Sequence, residues 1–75
     1  MEVNVLGKQS MDFKTSTGDA IKGLNLFVAF EEKGVDGMKT ERLFVNGNVQ
    51  CPDIQPGDTI DINFNYRGKI ESIIK

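Results

Sequence analysis

The chain has 75 residues, 39% apolar and 27% charged, with a formal net charge of −2. That suffices for one globular domain over residues 1–75 and leaves no room for a second core or a site walled in between lobes. With no histidine, and with Cys51 as the only cysteine, the usual routes to general-base, thiolate and zinc chemistry are closed, so neither catalysis nor a cofactor is expected.

The first element spans Val3 to Leu6 and continues past Gly7, which bends it, through Met11, Phe13 and Thr15. The opening Met-Glu-Val-Asn-Val-Leu-Gly-Lys lacks the basic start and apolar stretch of a secretory leader, and no apolar run nears the roughly 20 residues that span a bilayer; a cytoplasmic location is expected. Thr15 to Asp19 reads as a turn around Gly18. From residue 20 to 31, Leu24, Leu26, Val28 and Phe30 alternate with Asn25, Phe27, Ala29 and Glu31, which predicts a long strand. Gly23 near its start marks a bulge or a close backbone approach.

Glu32 to Gly37 reads as a hairpin loop, and Met38 to Val45 as the third strand, with Leu43 and Val45 inward and Thr40, Arg42 and Phe44 outward. Asn46 to Gly57 carries both prolines and is the one long irregular connection, pinned to the core by Val49 and Ile54. Asp58 to Lys75 alternates most strictly. Ile60, Ile62, Phe64 and Tyr66 share one face, Gly68 turns the chain, and Ile70, Ser72 and Ile74 or Ile73 return antiparallel.

Five antiparallel strands in a chain of this size suit a small closed barrel of the OB kind, or alternatively an SH3-like barrel; closure removes the sheet edges. The expected core is Val5, Phe13, Leu24, Leu26, Val28, Phe30, Leu43, Val45, Ile60, Ile62, Phe64 and Ile70. So small a core is commonly supplemented by association, and a homodimer is expected.

Most aspartates fall in or beside turns, where they cap backbone amides, and Asp58, Asp61 and Glu71 lack a calcium-loop spacing. Gly34 and Gly37 lack the Lys-Ser/Thr ending of a phosphate loop. What remains is an aromatic and basic set. Phe27 and Phe44 project from mid-strand, Tyr66 ends a strand with its hydroxyl towards solvent, and Lys14, Lys22, Lys39, Arg42, Arg67 and Lys69 lie near strand ends and turns. Single-strand binders pair stacking aromatics with such cations; about four phosphate contacts would give a salt slope of roughly −3. The alternative is a small barrel for protein–protein interaction, an accessory or inhibitory subunit anchored by Phe27 and Phe44.

Thr17-Gly18, Lys22-Gly23 ahead of the long strand, the glycine-bearing hairpin and Pro56-Gly57-Asp58 before the last hairpin resemble, in that order, the small single-stranded-DNA-binding proteins of filamentous phages. The resemblance implies an OB-like barrel that dimerises, binds single-stranded DNA cooperatively with weak sequence preference and serves phage or mobile-element DNA replication. Leu26 and Ile21 stand where that family has an aromatic and a basic residue, with Phe27 and Lys22 adjacent, and this chain is the more acidic.

Overall fold

A computed structural model describes residues 1–75 as five strands: β1 (Glu2–Lys14), β2 (Ala20–Phe30), β3 (Lys39–Asn46), β4 (Thr59–Phe64) and β5 (Ile70–Ile74). Every hydrogen-bonded pair is antiparallel, and the strands form one sheet in the order β3-β2-β1-β4-β5. β3 and β5 are therefore the two edges. Both run in the direction of β1, and the curl of the sheet brings their Cα atoms within 8 Å of each other. No ladder joins them, so the expected closed barrel is observed only as an all-β, five-stranded antiparallel sheet.

β1 is 13 residues long and, at about 3.3 Å per residue, covers most of the molecule's 43 Å length. Its start pairs with both neighbours, Asn4 lying opposite Ala29 of β2 and Thr59 of β4. Between Val5 and Gly7 the β1–β2 register slips by one residue, a β-bulge, after which β1 pairs with β2 alone. The end of the β1–β2 hairpin passes beyond Asn46, where β3 stops opposite Gly23, and forms a two-stranded arm. Its turn is closed by bonds from the Thr15 amide to the Asp19 carbonyl (2.8 Å) and from the Gly18 amide to the Thr15 carbonyl (2.9 Å).

The core is Val3, Val5, Leu26, Val28, Val45, Ile54, Ile60, Ile62 and Ile73, with Leu24, Phe30, Leu43 and Ile70 packed against it. Two expected core residues lie elsewhere. Phe13 is 45% exposed because the bulge in β1 reverses which face its odd-numbered residues occupy. Phe64 is 39% exposed at the turn end of the β4–β5 hairpin, beside a second register slip between Asn63 and Phe64; Ile73, opposite Ile62, rather than Ile74 enters the core.

The irregular connection contains no helix and is pinned by Ile54, which is buried, with Val49 half-buried. Its end joins β1 just before the bulge, through the Val5 amide to the Asp58 carbonyl and the Gly57 amide to the Val5 carbonyl, each 2.8 Å. Asp58 Oδ2 accepts the Gln55 amide at 2.8 Å and the Lys75 ammonium at 3.0 Å. These contacts, the backbone amide first, hold the Asp58 carboxyl below its ordinary range. A depressed carboxylate stabilises the fold wherever it is ionised, fully above its unfolded pKa of about 4, and loses that contribution as pH falls through the folded value. Asp58→Ala should therefore lower the melting temperature at neutral pH, with the gap to the wild type narrowing below about pH 4. A gap of constant size across thermal melts on both sides of that pH would show that the carboxylate's charge is immaterial.

Candidate nucleic-acid interface

Strand alternation sorts the residues of β1, β2 and β3 onto two faces. Those opposite the core are Gln9, Met11 and Phe13 of β1, Ile21, Gly23, Asn25, Phe27 and Ala29 of β2, and Thr40, Arg42, Phe44 and Asn46 of β3. Phe13, Phe27 and Phe44 share this face at 45%, 39% and 43% exposure. Arg42 lies directly opposite Phe27 and is the one ionisable side chain in the set.

Glycines decide how two of the rings lie. A Cβ on Gly23 would collide with Cζ of Phe44, so that ring occupies the space above the glycine, diagonally across the β2–β3 ladder. Gly7, the cross-strand partner of Phe27, would place a Cβ 3.7 Å from its Cδ2. Each ring thus lies against the bare backbone of a glycine, and part of its surface stays open to solvent. Met11, Phe13, Ile21, Asn25, Arg42 and Phe44 enclose an open cleft of about 450 Å³. Leu6, 56% exposed at the bulge, joins Phe27 and Arg42 around a second depression.

The expected contact residues are brought together only in part. Phe27, Arg42 and Phe44 form the centre of the face. Lys22 lies opposite Asp12 and, with Lys14, on the other face of the arm. Lys39 is paired with Glu32 at 3.0 Å, and this bond raises the lysine's pKa above its ordinary value. Tyr66, Arg67 and Lys69 belong to the β4–β5 turn in the other half of the sheet.

That turn is tightly built. Asn65 Oδ1 accepts the amides of Arg67 (2.9 Å) and Lys69 (3.1 Å), while Gly68 takes the positive φ of 77° that closes the loop. Tyr66 is 90% exposed, the Arg67 guanidinium carbon lies 5.4 Å from its ring centroid, and Arg67 Nε–H donates to the Tyr66 hydroxyl at 3.1 Å.

Sequence reasoning missed Met11, Phe13 and Ile21 as members of the face, and it placed Asn25 there without naming it as a contact residue. The alternation within β2 does put Asn25 beside Phe27, but the phase reversal in β1 hides Met11 and Phe13. Cys51 lines a separate cleft with Asp12 and Lys22, and burial pushes its thiol pKa up against the opposing pull of Lys8, so the thiol stays protonated at neutral pH. Compared with protein-family models, curated proteins and solved structures, the chain gives no significant match.

Proposed function

We propose that this chain binds single-stranded DNA without catalysing a reaction, and that bases stack on Phe27 and Phe44 while Arg42 meets the backbone. The reading rests on three partly exposed phenylalanines gathered with an arginine on the non-core face of β1, β2 and β3. The strand order, with the parallel edge strands β3 and β5 brought within 8 Å of each other by the curl of the sheet, supports an OB-type barrel as the architecture that presents this face. The Tyr66–Arg67 pair and Lys69 add a second contact on the β4–β5 turn, and replication of a phage or mobile element is a process such a coat serves.

The ionic part of binding is smaller than a count of lysines implies, because Lys39 has an intramolecular partner and Lys22 and Lys14 lie off the face. Two or three neutralised phosphates give a slope of log affinity against log salt of about −1.4 to −2.1. Anisotropy titrations of a labelled thymine oligomer over a salt series should yield that slope. Absence of binding at low salt sinks the reading, and a slope steeper than about −3 would shift the contact to the lysines off this face.

The apolar character of the face, with Leu6, Phe13, Phe27 and Phe44 exposed around a single charge, favours a second reading as a protein interface, including a homodimer. Sedimentation equilibrium separates the two: under this reading Phe27→Ala lowers the association constant between copies, whereas under the first it lowers DNA affinity.

A further inference from the structure

The aromatic cleft has a polar floor. Asn25 is the one polar residue among the buried residues of the chain, at 7% exposure, yet it points away from the core and lines the cleft with Phe44 and Arg42. Its carboxamide takes part in none of the chain's side-chain hydrogen bonds, and no fully enclosed polar atom is left without a partner, so the amide's free capacity opens into the cleft. A carboxamide with nothing to bond inside its own protein, set between a ring and a guanidinium, has the chemistry of a recognition group.

We infer that this cleft takes the imide edge of an unpaired thymine. The inference rests on the proposed DNA-binding function and adds a chemical preference to it. The base stacks on Phe44, the Asn25 carbonyl accepts the N3–H of the imide, and the Asn25 amino group donates to one flanking carbonyl. The Arg42 guanidinium carries only donors, five of them, so that one edge meets the other carbonyl while the rest hold the adjoining phosphate. Adenine satisfies this arrangement less well, because its pairing edge carries no carbonyl for Arg42. The volume of about 450 Å³ falls within the range of small-ligand clefts, roughly 300–1,000 Å³.

The test compares a thymine oligomer with the same oligomer methylated at N3 of every base, which keeps charge and stacking while removing the imide N–H. Wild-type protein should bind the methylated oligomer about tenfold more weakly. Asn25→Leu should bind both oligomers alike, and Asn25→Ala provides the same comparison should the leucine variant fold poorly. Equal binding of both oligomers by the wild type overturns the imide contact while leaving stacking intact. Full discrimination retained by a folded Asn25 variant overturns the assignment to Asn25. Failure of the wild type to bind either oligomer overturns the DNA-binding reading and this inference with it.

Discussion

Replacing Gly23 by alanine is expected to destabilise the protein by about 1–3 kcal/mol, although alanine is ordinarily the better strand residue by about 0.5–1 kcal/mol. The new methyl would meet two obstacles, the Phe44 ring and the Val45 carbonyl oxygen, the latter at 2.6 Å. The ring can rotate away, but the carbonyl belongs to the β3 backbone and yields only if the β2–β3 ladder shifts. The double variant Gly23→Ala/Phe44→Ala should therefore recover only part of the loss. Urea denaturation of the two single variants and the double variant measures this directly. Full recovery would assign the whole cost to the ring, and an unchanged midpoint for Gly23→Ala would mean that the two strands stand farther apart than described.

The second large effect concerns binding. Phe27→Ala should weaken single-stranded DNA affinity by about 1–3 kcal/mol, or roughly 5- to 150-fold, with the salt slope unchanged because no charge is removed. Arg42→Ala should do the reverse in kind, flattening the slope by about 0.7. Lys22→Ala is the informative control. It lies on the face opposite Phe27, across the ladder from Asp12, and its removal should leave both affinity and slope nearly unaltered. Anisotropy titrations at several salt concentrations read all three variants, and a large effect of Lys22→Ala with none of Phe27→Ala would move the contact surface to the other side of the arm.

The central pair of this face was legible in the sequence because β2 and β3 run in unbroken register from Gly23–Asn46 to Phe30–Lys39. Once Leu24, Leu26 and Val28 claim the core, simple alternation turns Phe27 outward, and the same holds for Leu43 and Val45 against Arg42 and Phe44. β1 defeats that logic. Gly7 announces a bend, but whether a residue is inserted there depends on how the strand meets β2, a partner distant in sequence. One slip between Val5 and Gly7 carried Phe13 from expected core to open face, and Met11 with it.

The lysines escaped for a related reason. Composition shows that they cluster near strand ends, but only the ladder shows that Lys22 faces Asp12, and only the folded β2–β3 loop brings Glu32 to Lys39. Local pattern fixes the face of a residue on a regular strand. Its neighbours come from pairing.

The seam between β3 and β5 has a mechanical consequence. Four ladders define the circumference of the curled sheet, and a fifth, which would lock it, is missing. A fully laddered hoop can change its girth only by breaking hydrogen bonds, whereas a sheet with an unbonded seam has no backbone ladder to break at the gap. Phe27 and Phe44 stand on β2 and β3, and β3 borders the seam, so a change of girth there would alter the curvature beneath them at no cost in ladder bonds. A chain of stacked bases, whose rise varies from step to step, is a surface that a compliant platform follows better than a rigid one.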